Sequence, residues 1–187
     1  MLIMRPSDDF ELVVVRSLIQ TFQVGPKSHK DESWRSKTVE VIRTERLLSR
    51  DLIEADWQSV HLYASDPDVV RYMSWGPNTE EETKGFIQRA RAGQNERPRI
   101  NHTLAIIVRD ENMLIGSCSI CVSNPDNREG WIGYCLNRIF WGKGYATETG
   151  NALVDFGFDK LSLQNIRDVR PSKRRVCTRS GENWHET

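Results

Sequence analysis

The run Trp141-Gly142-Lys143-Gly144-Tyr145-Ala146 holds the residues of this chain whose types and spacing could do chemistry. Two glycines let the backbone turn tightly and keep side chains out of the space between its amides and a ligand. The residues that follow read as a helix, whose first turn carries unpaired N–H groups and the positive end of the dipole. Such a turn seats a phosphate or pyrophosphate. Lys143 adds a positive charge at its rim. Taken alone, G-x-G is equally an ordinary strand-to-helix turn. Two familiar nucleotide loops do not fit. A Walker loop needs Lys-Ser/Thr, whereas Gly144 is followed by Tyr145-Ala146. A dinucleotide fingerprint needs a third glycine and a parallel βαβ unit. Here Thr147 occupies that position, and the preceding strands read as antiparallel.

The cysteines offer a second possible chemistry. Cys118 and Cys121 have C-x-x-C spacing, but no second pair accompanies them. They lie in an apolar run that reads as a strand, and residues three apart on a strand face opposite sides. With Cys135 and Cys177 they read as reduced, buried thiols, so no metal is expected.

The surrounding elements suit a mixed α/β domain. Val39 to Leu48 reads as a strand and Leu52 to Ala64 as a helix capped by Asp51. Asp66-Pro67 and Gly76-Pro77 are breaks. Thr79-Glu80-Glu81-Glu82 is a capping box opening a helix that runs to about Ala92. Thr103–Val108, Met113–Val122 and Trp131–Leu136 read as an antiparallel meander. A helix from Ala146 to Leu161 and a strand from Gln164 to Val169 follow. The order is strand, two helices, three strands, helix, strand, in one domain. Residues 1–39 read as an N-terminal extension, 40–166 as the domain, and 167–187 as an atypical basic tail.

Composition narrows the partners. The 187 residues carry 26 basic and 26 acidic side chains, a formal net charge of +0. A neutral chain lacks the overall basic field that nucleic acid favours, so no nucleic-acid partner is expected. No run of 18 or more apolar residues suggests a membrane span. Met1 to Phe10 holds two acids and no apolar stretch, a poor secretory signal, so the expected location is cytoplasmic.

Ile132-Gly133-Tyr134-Cys135-Leu136-Asn137, followed by Phe140 to Glu148, resembles the GNAT superfamily of N-acetyltransferases, most of all its ribosomal-protein-alanine acetyltransferase branch. Thr44-Glu45-Arg46-Leu47, Asp66-Pro67-Asp68-Val69, Tyr72 to Pro77, Leu114-Ile115-Gly116 and Asp155 to Phe158 agree in order, so the resemblance runs from about Val41 to Ile166. It implies an α/β (α+β) fold: a mixed, mostly antiparallel sheet flanked by helices in a single domain. It implies acetyl-CoA as co-substrate, no metal, and a primary amine as acceptor, on a protein N-terminus or a small molecule. By the same resemblance, the Trp131–Leu136 strand pairs with the pantetheine arm, so Cys135, Leu136 and Asn137 become contacts. The stretch Gly142, Lys143, Gly144, Tyr145, Ala146 and Thr147 holds the pyrophosphate. The family's Arg/Gln before the glycines is Ile139 here, with Arg138 beside it. Glu129, just ahead of the central strand, is the carboxylate candidate for the base that deprotonates the amine; the alternative is a solvated loop acid. The family often has an acid where Trp131 stands. Tyr72 and Trp75, with Met73, either shape the acceptor pocket or belong to the core. Tyr134 reads as core or pocket wall.

Past Ile166 the resemblance stops. The chain reads RDVRPSKRRVCTRSGENWHET where the family continues with a strand and an Asn-x-x-Ser helix. Its cluster of arginines admits a nucleic-acid reading. A one-base change of frame from Asp168 explains more: with synonymous codons it reads TCVHRNVASVRVLEKIGMK, which restores the family's motifs. The sequence therefore predicts that the C-terminal strand and helix are lost. That leaves weak acetyl-CoA binding and low activity, or a catalytically defective protein of the same fold.

Overall fold

The computed structural model describes residues 41–168, 175–178 and 181–186. The expected extension, residues 1–39, lies outside them. In chain order the described residues form β1 (Val41–Arg43), β2 (Leu47–Asp51), α1 (Trp57–Ala64), α2 (Pro67–Val70), α3 (Glu80–Gly93), β3 (Asn101–Val108), β4 (Met113–Asn124) and β5 (Glu129–Leu136). Then come α4 (Tyr145–Asp159), β6 (Asn165–Asp168), β7 (Arg175–Thr178) and β8 (Gly181–Glu186). One sheet carries the strands in sequence order, β1 to β8. Every neighbouring pair is antiparallel except β5 and β6. That parallel pair requires a crossover, which α4 supplies. The mixed, mostly antiparallel sheet flanked by helices is the architecture the sequence implied.

Helices cover both faces, which explains the near-continuous burial of β3. Leu104, Ile106 and Val108 point to one core, with Leu47, Ile115, Ile120, Ile132 and Leu153 of α4. Ala105 and Ile107 point to the other, with Val60 and Tyr63 of α1 and Ile87 of α3. The capping box is present: Glu82 N–H donates to Thr79 Oγ1 at 3.2 Å, and Thr79 N–H to Glu82 Oε2 at 2.7 Å. Cys118 joins the α4-side core while Cys121 is half-buried, as alternation along β4 requires.

Four expectations change. The first strand is two, β1 and β2, folded on each other through a turn at Thr44–Arg46. The helix expected from Leu52 opens instead as a 3-10 turn, Glu54–Asp56. Asp51 does not cap it, because Asp51 ends β2 and binds Arg99 at 2.6 Å. Buried in that pair, its carboxylate is not available to helix amides. The largest correction concerns the C-terminus. The predicted loss does not reach the strand read over Gln164 to Val169, which forms as β6: it pairs with β5 from Glu129↔Asn165 to Ile132↔Asp168, and Ile166 is fully buried. Apolar Ile166 facing α4 is enough to seat it. After it β7 and β8 extend the sheet antiparallel, and among the described residues no helix follows.

Gly116 lets β4 lie close against β5. A Cβ there would sit 2.2 Å from Cys135 O and 3.0 Å from Leu136 Cα, both backbone atoms of the strand that leads to the glycine loop. We expect Gly116→Ala to destabilise the fold by about 1–3 kcal/mol through overpacking. Urea unfolding measures it, and an unshifted midpoint would contradict the close approach.

Candidate functional site

β5 ends at Leu136, and the chain turns sharply before α4. Asn137 makes the turn: its N–H donates to Ile115 O at 2.8 Å, and its side chain accepts from Ile139 N–H at 3.2 Å. A 3-10 turn, Arg138–Phe140, drops the Phe140 ring into the α4-side core. Trp141 then donates its indole N–H back to Leu136 O at 2.9 Å. Both ends of the loop are fixed before the glycines begin. Gly142 and Gly144 have φ of 74° and 80°, a left-handed backbone open to glycine at little cost. Gly144 caps α4 without any side-chain cap. Glu148 is the first amide with a backbone acceptor, Gly144 O at 3.1 Å. Among the described residues, the amides of Gly142 to Thr147 donate to nothing. Unpaired donors at the positive end of a helix form an anion seat.

The loop is gripped from behind by the β1–β2 turn. Arg46 donates from Nε to Glu148 Oε2 at 2.7 Å and from Nη1 to Lys143 O at 3.0 Å. Arg46 N–H and the Thr44 hydroxyl both reach Glu148 Oε1, at 3.0 and 2.5 Å. The Arg46 guanidinium also stacks 4.7 Å from the centre of the Tyr145 ring. Burial alone would push the Glu148 carboxyl up. The hydrogen bonds from Thr44 and from the amide and guanidinium of Arg46 outweigh it and hold the carboxyl below its ordinary value.

β5 offers a second backbone row. It pairs with β4 along its whole length but with β6 only from Glu129 to Ile132. From Gly133 to Leu136 the edge away from β4 has no strand partner among the described residues. This bare edge leads straight into the glycine loop. An extended ligand arm could pair with it as an added strand would.

The residues expected at the site fall into three groups. Gly142, Lys143, Gly144, Tyr145, Ala146 and Thr147 form the loop and the first turn of α4. Of their side chains, Lys143 Nζ lies over the Phe140 ring at 5.2 Å and Tyr145 and Ala146 pack on the core. Cys135, Leu136 and Asn137 end the bare edge. The Cys135 thiol is buried toward α1–α3, which pushes it up to about 12. Arg138, next to the missing Arg/Gln, turns toward Asp66 and Asp68 at 3.3 and 3.4 Å.

Glu129 lies at the far end of β5, seven residues before Leu136, about 23 Å along an extended strand. It is half-buried beside Arg167 at 3.6 Å. Tyr72 and Trp75 are 69% and 41% exposed, so the alternative that they belong to the core is overturned. They sit in the loop between α2 and α3, broken at Gly76-Pro77, and no described element covers them. Tyr134 packs against the α4-side core. Sequence reasoning missed the grip of Arg46 on Glu148. Its only signal was that both residues stood inside motifs, Thr44 to Leu47 and Thr147-Glu148, some hundred positions apart.

A meander, a glycine loop opening a helix and a parallel strand beyond it define an acetyltransferase class, and the comparisons agree. The family described as "Acetyltransferase (GNAT) domain" matches residues 46–179, past the point where the resemblance seemed to stop. The uncharacterized N-acetyltransferase YnaD of Bacillus subtilis (strain 168) is 34% identical over 125 residues, 67% of this chain and 69% of YnaD. A crystal structure of a GNAT-family acetyltransferase from Bacillus anthracis is 32% identical, with a TM-score of 0.60, covering 69% of this chain and 72% of that one. The ribosomal L7/L12 α-N-protein acetyltransferase RimL in complex with coenzyme A shares the fold at 20% identity and a TM-score of 0.61, over 73% of this chain and 75% of its own. The chain belongs to the GNAT acetyltransferases.

The Glu148 carboxyl makes a pH test. A carboxyl held below its ordinary 4.5 stabilises the fold above that value and loses the contribution as pH falls through its folded value. We expect wild type to exceed Glu148→Gln in stability at pH 7, with the gap closing below about pH 4.5. Urea unfolding at pH 7 and pH 3 checks it; a gap that widens in acid contradicts the assignment.

Proposed function

We propose that the chain moves the acetyl group of acetyl-CoA to a primary amine, on a protein N-terminus or a small molecule. What carries the reading is the continuity of two backbone rows, the loop amides and the stretch of β5 beyond its pairing with β6. The amides of Gly142 to Thr147 suit a pyrophosphate, and the bare edge of β5 suits the pantetheine arm that extends from it. The coenzyme A complex of RimL, a protein of the same fold, supports it.

The chemistry follows from the thioester. A neutral amine attacks the carbonyl carbon, a C–N bond forms, and the C–S bond breaks. The amine proton leaves to a base and the departing thiolate takes up a proton. A backbone N–H on the bare edge can polarise the carbonyl. On β5 the carboxylate is Glu129, and it shares a face with Trp131, Gly133 and Cys135 by strand alternation. We assign it the base role, directly or through water. Tyr72 and Trp75, exposed in the loop between α2 and α3, suit the mouth of an acceptor site. Four free thiols suit a reducing, cytoplasmic setting. No described helix is long and apolar enough to cross a membrane.

One observation favours a weakened enzyme. After β6 the described chain continues as β7 and β8, where the family's motifs call for a helix. The proposed comparison is this chain against a version whose residues from 168 read TCVHRNVASVRVLEKIGMK. Calorimetric titration with acetyl-CoA should give this chain at least about tenfold weaker binding, with amine-dependent thiol release that is slower. Equal micromolar affinity would sink the weakened reading, and no binding by either would sink the function. In the more active version, Glu129→Gln should lower kcat by about 10²–10⁴ while acetyl-CoA affinity holds. An unchanged kcat would remove Glu129 from the mechanism.

A further inference from the structure

We infer that Arg46 and Glu148 are positioning residues that aim the pyrophosphate-binding amides, an inference that rests on the acetyl-CoA reading of the loop. The geometry gives Arg46 two grips. One is on the Glu148 carboxylate in the first turn of α4, at 2.7 Å from Nε and 2.6 Å from Nη2. The other is on Lys143 O, in the middle of the glycine loop, at 3.0 Å. Lys143 O and Gly144 N–H belong to one planar trans peptide, so they point in opposite directions. Holding the carbonyl against Arg46 turns the Gly144 amide away from it, toward the open side of the loop.

The grip is needed because of the glycines around it. Gly142 and Gly144 both have left-handed φ, and the Lys143–Gly144 peptide has a glycine on its C-terminal side, where rotation about φ meets little steric resistance. Gly144 has no side chain to cap α4. Without a partner on Lys143 O, the peptide between Lys143 and Gly144 has few restraints. Arg46 fills the back of the loop, with Nη2 3.4 Å from where a Cβ on Gly144 would lie. Glu148 in turn is held by the Thr44 hydroxyl and by the Arg46 amide. The β1–β2 turn therefore docks on α4 through one carboxylate and reaches past it to the loop.

Arg46 is not placed to act as a phosphate ligand. Its Nε and Nη2 face Glu148 and its Nη1 faces Lys143 O. Its charge is opposed by the carboxylate it binds. Its effect on the ligand passes through the peptide it holds.

The test uses two donors of one thioester. Acetyl-CoA carries the pyrophosphate, whereas S-acetylpantetheine carries the arm and thioester without it. Binding of each is measured for wild type, Arg46→Met, Arg46→Lys, Glu148→Ala and the double variant Arg46→Met/Glu148→Ala, with urea midpoints to confirm folding. We expect each single variant to bind acetyl-CoA about tenfold more weakly. Lysine should fail to rescue, since it keeps the charge but cannot grip two acceptors. The double variant should be no worse than the singles, because both residues serve one contact. S-acetylpantetheine binding should be unchanged throughout, which also shows that the rest of the site survives. Unchanged acetyl-CoA affinity in folded variants would overturn the inference. So would a loss with Arg46→Met but not Glu148→Ala, which would mark a direct charge contact. Equal losses for both donors would do the same, showing a general structural role. If wild type binds no acetyl-CoA, the reading of the loop falls first and this inference with it.

Discussion

Backbone amides left without partners are the constraint around which this domain is organised. Most buried or helical N–H groups in a fold must be paired, and a run of unpaired ones is tolerated only where water or a ligand reaches them. Here the amides from Gly142 to Thr147 form such a run at the start of α4. The surrounding structure keeps the run both open and fixed. Phe140 buried in the core, the Trp141 indole on Leu136 O and the left-handed glycines define the loop from within. Arg46 and Glu148 hold it from behind. Side chains that reach this region turn away from the amide face: Lys143 onto Phe140, Tyr145 onto the core. What faces outward is peptide, whose N–H groups can take an anion regardless of side-chain identity.

That reliance on backbone explains why the loop was legible in the sequence and much else was not. Glycines at 142 and 144 are required by φ, so the requirement is written as residue type. The capping box at Thr79 and Glu82 is equally local, and it appears as read. The strands of the meander follow from alternating burial against two cores. Features that depend on distant partners were hidden. The grip of Arg46 on Glu148 joins residues 102 positions apart. Asp51 looks like a helix cap until Arg99 claims it. Tyr72 and Trp75 carry apolar rings that suit a core, and only the absence of a covering element in the described fold leaves them exposed.

The C-terminus shows the limit of reading motifs as structure. Past Ile166 the family's motif letters vanish, yet the strand that begins before it runs on beside β5 to Asp168. Two kinds of information meet in this stretch. One is the letters, which mark descent and chemistry. The other is the physical minimum for a strand at that place: an apolar Ile166 facing α4 and backbone groups to pair with β5. The second survives the loss of the first. Ile166 is fully buried, and Gly130 opposite it admits Leu163 beneath the strand. A short parallel strand needs little more than this once α4 has brought the chain back across the sheet.

The same distinction decides what the tail can and cannot supply. Pairing of β6 with β5 ends at Ile132↔Asp168, so β5 keeps a bare edge from Gly133 onward among the described residues. That half of the site depends only on where β6 stops pairing. The second wall of a cofactor cleft is more demanding, because it needs specific side chains on an element at a set distance. A hairpin such as β7–β8 can satisfy the sheet without satisfying the site, since sheet extension asks only for backbone hydrogen bonds. Fold and catalysis therefore place different demands on the same residues. On the proposed function the glycine loop and the β5 edge serve both, being made of backbone. Past Asp168 only the demand of the sheet is visibly met.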